Sequence, residues 1–299
     1  MVTDSTLTKI NATRALELDS ERWVSWIRRP TWVFAVALLS AAQITNLLAQ
    51  EGQEPQDEQE QPELAQANEA GQPWVLERPL VPFEAQYTVG NDVINVAGRA
   101  NIELVQSGSE NEWSYSLNTQ PAGLFKLTGK GRVQESATFE IVDENNTSTL
   151  RPKRYKFRQD NEHRRSIDAT FIWEQRQLYF NRGDDNDTSD LALNTLDRMT
   201  MTVVMMSNLT TDLTSTTMEI FDGGRLKQVR LVNEGTDELK TVLGTVEAVR
   251  VRSRSSAGST RETITWFAPS LNNIPVRIEQ LKNGELVARL SISLYRPTP

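Results

Sequence analysis

The sequence predicts a mostly β protein, in which a strongly curved antiparallel sheet, like an incomplete barrel, wraps around one main helix. Apolar and polar side chains alternate in many short segments, as where Ile264 and Trp266 alternate with Thr263 and Thr265, and this period of two is typical of strands. The segments follow one another closely, separated by clusters of Gly, Asn and Asp. Such short connections join antiparallel strands, because parallel strands need long crossovers.

The main helix is predicted over residues 189–209. Apolar side chains recur there at helical spacing, namely Ala192, Leu196, Met199, Val203 and Met206, behind Ser189 as a possible N-cap. A strand is the alternative, because Met199, Met201 and Val203 also alternate with threonines. We expect this helix to pack against the concave side of the sheet.

The last hairpin can be predicted in detail. Ile278 lies on the apolar face of one strand, and Ala288 lies on the apolar face of the next. A two-residue turn at Asn283-Gly284 would place Ile278 beside Arg289. A three-residue loop with Gly284 in the left-handed conformation instead pairs Ile278 with Ala288 and joins the two apolar faces, so we predict the longer loop.

The N-terminal part reads as an export signal. Arg28 and Arg29 precede an apolar run of eleven residues at 32–42, which is shorter than the ~20 residues of a comfortable membrane span. Residues 1–49 are therefore predicted to be a signal peptide or, as the alternative, an uncleaved signal anchor. We expect a periplasmic location, with the inner membrane as a partner if the signal is uncleaved.

Composition divides the rest of the chain in two. Residues 50–72 contain seven acidic residues and no basic ones, which predicts a disordered acidic linker, and residues 73–299 are predicted to form a single β-rich domain. The linker carries -7 of the net charge of -8, so the near-neutral remainder gives no support for a nucleic-acid partner. The 299 residues include no cysteine, which excludes disulfides, thiolate metal sites and a lipid-modified cysteine.

The stretch at 266–278 carries a resemblance to a known family. Its motif is Trp266-Phe267-Ala268-Pro269, Leu271 and Ile274-Pro275-Val276-Arg277-Ile278, and the supporting pieces are Tyr87, Pro121, Gly123-Leu124, Glu135-Ser136, Pro152, Tyr155, Phe171, Trp173 and Leu243-Gly244. Over about residues 80–295 the chain resembles the exported bacterial family called domain of unknown function 3108. The resemblance implies an envelope location and a mostly β fold, and it implies no activity.

Several polar groups are candidates for chemistry, each with a plainer interpretation. His163 is the only histidine and fits a solvated turn better than a catalytic base. The acidic residues at 184–190 offer oxygen ligands of the kind that calcium takes, but they lack the EF-hand spacing and are interpreted as a solvated loop that caps the helix. Arg250, Arg252 and Arg254 share a strand face that is either solvated or faces anionic lipid or glycan. No metal site, cofactor or catalytic residue is assigned.

The leading functional hypothesis is a non-catalytic envelope protein that binds a lipid-like or polymeric ligand such as a glycan. Lipoprotein carriers have a similar layout and hold acyl chains between sheet and helix. The residues predicted to bind the ligand are Leu196, Met199, Val203, Met206 and Trp266. The alternative is a structural or partner-docking envelope protein, and an enzyme is the least favoured class.

Overall fold

The computed structural model describes residues 71–108, 111–123, 131–255 and 259–298, and this part of the chain forms one sheet and one α-helix. The first eight strands are β1 (Trp74–Val75), β2 (Phe83–Gly90), β3 (Gly98–Gln106), β4 (Glu112–Pro121), β5 (Val133–Glu144), β6 (Thr147–Gln159), β7 (Ile167–Ile172) and β8 (Gln177–Arg182). They are followed by β9 (Asp185–Asp190), β10 (Leu196–Asp197), α1 (Arg198–Asn208), β11 (Ser215–Phe221), β12 (Leu226–Thr241), β13 (Gly244–Ser255), β14 (Arg261–Ala268), β15 (Ile274–Lys282) and β16 (Glu285–Pro297). The predicted signal at 1–49 and nearly all of the predicted linker at 50–72 lie outside the described residues.

The sheet consists of two meanders that share one seam. Its strand order is β10-β11-β12-β13-β14-β15-β16-β2-β3-β4-β5-β6-β7-β8-β9, and β1 pairs with β6. Only β10 and β11 are parallel among the strand pairs described. The last strand, β16, pairs with β2, so that Ser291 lies opposite Thr88. The two edge strands, β9 and β10, are neighbours in sequence and are joined by residues 191–195.

The sheet curls around α1, as predicted, without closing between its described edge strands. Strand twist accumulates over many strands and bends a sheet of this size. The helix contacts β4, β5 and β6 of one meander and β10 and β11 of the other. The ring of Phe221, at the end of β11, lies 4.9 Å from that of Phe180 on β8 and 6.2 Å from that of Tyr155 on β6. The mostly β fold with one helix is thus confirmed.

The helix begins eight positions later than predicted. Ser189, the predicted N-cap, lies in β9, where residues 185–190 form an exposed edge strand that pairs with β8, so the interpretation of 184–190 as a helix-capping loop is wrong. The N-cap is Asp197, whose Oδ1 accepts hydrogen bonds from the backbone N of Met199 at 2.8 Å and of Thr200 at 2.9 Å. The hydroxyl of Thr200 in turn accepts from the backbone N of Asp197 at 3.0 Å, which completes a capping box.

The other end of α1 is held by two distant side chains. Arg78 donates from Nε to the carbonyl of Ser207 at 2.7 Å and from Nη2 to that of Leu209 at 2.6 Å. The amide of Asn273 donates to the carbonyls of Met206 and Leu209 at 3.2 and 3.1 Å. These bonds satisfy carbonyl groups that a helix leaves without partners at its C-terminus, so the end of α1 is held by the segment before β2 and by the connection between β14 and β15.

The last hairpin has a different turn from the predicted one. Its turn is the two-residue one, with φ of 53° at Asn283 and 79° at Gly284. A bulge accommodates one extra residue in β16, and as a result Ile278 lies opposite Leu290 instead of Ala288. The predicted loop length and register are therefore wrong. The prediction of positive φ at Gly284 is confirmed, and the two apolar faces do join.

Candidate functional site

A cavity of about 190 Å³ lies between α1 and the concave face of the sheet. Its wall contains residues of α1, of β3 to β5 in one meander and of β11 to β16 in the other. Apolar side chains from all three regions contribute, among them Leu117, Met201, Met205, Val251, Phe267 and Leu290. The helix and both meanders therefore form the cavity together.

The predicted ligand-binding residues of α1 divide into two groups. Met199 lies in the cavity wall together with Met205. Leu196, Val203 and Met206 are buried in the hydrophobic core and are not part of that wall. The sequence stripe thus identifies the buried side of the helix, and only one edge of that side faces the cavity.

Trp266 faces away from the cavity. Neighbouring side chains of β14 alternate, and Thr265 and Phe267 line the cavity while Trp266 lies on the opposite face. Its Nε1 donates to Asp237 at 2.8 Å, and the guanidinium of Arg277 lies 5.6 Å from the ring centre. Alternation alone could not reveal this, because the polar side chains of β14 look like a solvated face.

Glu135 is a buried carboxylate in the cavity wall, and sequence reasoning missed its role. It occupies an inward position of β5 between Val133 and Ala137, and its side chain is 1% exposed. Tyr155 donates to Oε1 at 2.8 Å, Arg198 donates to Oε1 at 2.9 Å, and a second nitrogen of Arg198 binds Oε2. A buried charge needs such partners. The signal for it was a charged residue in an otherwise apolar row.

A second ion pair lies in the same wall. Nζ of Lys227 donates to Oδ2 of Asp222 at 2.7 Å, and both side chains are largely buried. Burial alone would raise the pKa of Asp222, but Arg198 and Lys227 hold that pKa below its usual value. Asp222 therefore stays ionised at neutral pH. Its negative charge balances the positive charge of Lys227, and it has no proton to donate.

The N-cap carboxyl behaves differently. Burial raises the pKa of Asp197 to about 7, although hydrogen bonds from Thr200 and Met199 oppose the rise and Glu135 adds to it. Its Oδ2 is buried without a hydrogen-bond partner among the described residues. Asp197 is therefore a titratable group of the fold at neutral pH, next to the cavity but not in its wall.

The candidate polar groups at the surface are bound to other side chains. Nε2 of His163 lies 3.0 Å from Oδ1 of Asp184, and both side chains are exposed.

No group of three or more metal-ligating side chains comes together within the described ranges. Within the same ranges, no helix is both long enough and apolar enough to span a membrane.

The arginine stripe of β13 is neutralised by carboxylates of the protein. Arg250 and Arg252 both bind Glu234, with nitrogen–oxygen distances of 2.8 and 2.5 Å. Arg252 and Arg254 both bind Glu262. The stripe is thus part of an ion-pair network on the outer face.

Residues on which the family resemblance depends meet across the sheet. Three hydrogen-bonded pairs form among them, namely Tyr87 with Pro275, Tyr155 with Glu135 and Trp173 with Pro152. The hydroxyl of Tyr87 donates to the carbonyl of Pro275 at 2.6 Å, and Nε1 of Trp173 donates to the carbonyl of Pro152 at 2.7 Å. The first pair joins β2 to β15, which lie on either side of β16, and the second joins the neighbouring strands β5 and β6. The third joins β6 to the residue that follows β7.

Comparison with known proteins agrees with that resemblance. The family model described as "Protein of unknown function (DUF3108)" matches residues 83–291. No match is found among the curated proteins. Two solved structures are similar at low identity. One is a beta-barrel-like protein of domain of unknown function DUF1849 from Brucella abortus, with 11% identity, a TM-score of 0.45 and coverage of 74% of this chain and 99% of that chain.

The other is a "putative lipoprotein" from Parabacteroides distasonis, with 12% identity, a TM-score of 0.31 and coverage of 75% of this chain and 100% of that chain. Similarities this low carry no information about the ligand or the cellular location of the present chain. Both must be inferred from its own residues.

Proposed function

We propose that this chain, which belongs to the DUF3108 family, binds a lipid-like ligand without catalysis in the cavity between α1 and the sheet. The observation that carries the proposal is the cavity itself, because a well-packed interior has few voids larger than a water molecule. An engineered cavity of about 150 Å³ binds one benzene. A cavity of about 190 Å³ therefore suits one small apolar group, such as a segment of a single acyl chain.

The character of the wall supports an adaptable apolar ligand. Met199, Met201 and Met205 contribute to it from the helix. Methionine is unbranched and flexible, and it fills irregular space around ligands of different shapes. The buried carboxylates Glu135 and Asp222 are bound to Arg198 and Lys227, which supports a structural role for them over acid catalysis.

We further propose a periplasmic or envelope location, from the arginine pair and apolar run at 28–42. An uncleaved signal would keep the protein at the inner membrane. A second candidate function is docking of an envelope protein partner. It is favoured by apolar side chains exposed at two hairpin tips, with Val93 75% and Val242 72% exposed.

Probe binding tests the ligand proposal. The full chain, purified without detergent, is titrated with N-phenyl-1-naphthylamine, whose emission rises in apolar surroundings. We expect saturable binding that dodecanoate displaces. Thr265→Trp, which places a large ring in the cavity, should reduce probe affinity at least tenfold, the equivalent of about 1.4 kcal/mol.

The matched control is Thr217→Trp, because Thr217 is exposed on β11 and outside the cavity wall. It should bind like the parent chain, with a similar thermal midpoint. Absence of saturable binding, or equal binding by Thr265→Trp and the parent, would overturn the proposal and favour partner docking.

A further inference from the structure

One part of the cavity wall changes from apolar to polar along neighbouring strands. On β13, β14 and β15, residues that line the cavity lie opposite one another in successive rows. The first row is Val251, Thr265 and Ile278, and Leu290 of β16 continues it. Apart from Thr265 this row is apolar, so it suits a hydrocarbon chain.

The neighbouring row consists of uncharged polar side chains. Thr263 lies opposite Ser253 on one side and Gln280 on the other, and all three residues line the cavity. Residues directly opposite each other on paired strands have Cβ atoms about 5 Å apart. One head group of a ligand can therefore contact Thr263 and Gln280 together, while its chain lies against the first row.

Two side chains of this polar row are available for a ligand. The hydroxyl of Ser253 donates to the backbone carbonyl of Thr263 at 3.2 Å. Within the described part of the chain, by contrast, the hydroxyl of Thr263 and the side-chain amide of Gln280 form no hydrogen bond, although both residues are partly buried. Burying a polar group is unfavourable unless it is hydrogen-bonded. A ligand with matching polar groups would supply the bonds that Thr263 and Gln280 lack.

The buried charges of the cavity wall, in contrast, have partners. Glu135 binds Arg198, and Asp222 binds Lys227. Each acid thus faces one base, and the charges of the two pairs balance. Removing one partner of a buried ion pair is strongly unfavourable, so these residues are poor sites for an ionised head group.

The charged residues nearer the strand ends are engaged as well. Glu262 binds two arginines of the outer-face network. Lys282 lies opposite Glu285 in the last hairpin, and Arg261 is not without a partner. An ionised head group would have to compete with these partners, whereas an uncharged one can use the polar row.

We infer that the ligand is a single-chain amphiphile with an uncharged, hydroxyl-bearing head, which bonds to Thr263 and Gln280 while the chain lies against the row at Val251. A hydroxyl group both donates and accepts, and so do the hydroxyl of Thr263 and the amide of Gln280. This inference rests on the proposed function and specifies the class of ligand. The head is a small polyol, either glycerol or a sugar.

Four ligands with the same twelve-carbon chain test the inference on the full chain, by displacement of N-phenyl-1-naphthylamine below their micelle or solubility limits. 1-Lauroylglycerol and dodecyl glucoside carry a polyol head, dodecanoate carries a charge, and methyl laurate has neither a charge nor a donor. We expect at least one polyol ligand to bind about tenfold more tightly than methyl laurate, the order of magnitude that two neutral hydrogen bonds contribute. It should also bind more tightly than dodecanoate. The two polyol arms distinguish a glycerol head from a sugar head.

Two variants of similar shape locate the head group. Thr263→Val and Gln280→Met should each lower the ratio of polyol to methyl laurate affinity about threefold, and the double variant should abolish the preference. The ratio cancels any change in the fit of the chain itself. The matched controls are Thr217→Val on β11 and Gln120→Met on β4, which replace exposed side chains outside the cavity wall and should keep the ratio of the parent. Thermal midpoints of all variants verify folding.

The outcomes separate the two proposals. Equal binding of the polyol ligands and methyl laurate, tighter binding of dodecanoate, or a polyol preference that survives the double variant would overturn the inference and leave the binding function in place. Failure of all four ligands to displace the probe would overturn the binding function together with the inference.

Discussion

Asp197 shows how one residue couples the fold to pH. It is fully buried at the start of α1, and its pKa is raised to about 7, mainly by burial. An aspartate in the unfolded chain has a pKa of about 3.9. Between these values the folded chain binds more protons than the unfolded chain, so the contribution of Asp197 to stability falls as pH rises.

We therefore predict that Asp197→Asn gains stability relative to the parent chain as pH rises. Asparagine caps helices as well as aspartate does, and it carries no titrating proton. From about pH 5 to about pH 7 the free energy of unfolding of the variant should increase relative to the parent by about 2 kcal/mol. Urea unfolding at each pH measures this difference, and parallel pH curves for the two proteins would contradict the prediction.

The polar residues of the site were the least accessible to sequence reasoning. Met199 was predicted because methionines at helical spacing mark a buried face. Glu135, Arg198 and Asp222 were missed, because their partners come from separate strands and from α1, and a single sequence contains no signal for such pairs. The inward position of Glu135 was the one local indication.

At the scale of elements, the sequence predicted the position of the last turn correctly but not the register of the two strands that it joins. The sequence pattern at Asn283-Gly284 predicts a turn, and Gly284 has the positive φ that such a turn requires. The register depends on a bulge further along the hairpin, which leaves no mark in the alternation of Ile278, Leu290 and their neighbours. The start of α1 was predicted wrongly for a similar reason. Residues 185–190 pair with β8 as a strand, and the spacing of the apolar residues gives no sign of this pairing.

The turn gives an element-scale prediction. Gly284→Ala should lower the free energy of unfolding by about 1–2 kcal/mol, because an L-residue is strained at positive φ. A methyl group there would meet no atom within 4 Å, so the cost is conformational only. Gly284→Asn is the matched control and should cost less, because asparagine tolerates this conformation. Equal losses for the two variants, measured by urea unfolding, would refute this explanation.

At the scale of the whole molecule, the curved sheet with one helix follows from the sequence, because short spacing and alternation recur along its length. The seam between β16 and β2 does not follow, since it joins strands from opposite ends of the described chain. Neither do the bonds from Arg78 to the end of α1, which come from a segment without periodic pattern.

The predicted export signal gives the whole-molecule prediction. Residues 1–72 fused to alkaline phosphatase, which is active only after export, should give phosphatase activity in intact bacteria. Residues 50–72 alone are the control and should give none, because they lack the apolar run at 32–42. Equal activity of the two fusions, or none with residues 1–72, would argue against export.

The seam between β2 and β16 determines when the protein can finish folding. Thr88 and Ser291, which are hydrogen-bonded across it, are 203 residues apart in the chain. Contacts between such distant residues form slowly, because a long loop must close before they contribute any stability. Synthesis must therefore be nearly complete before β2 gains its second neighbour. Until then its free edge is a surface for chaperones or for aggregation.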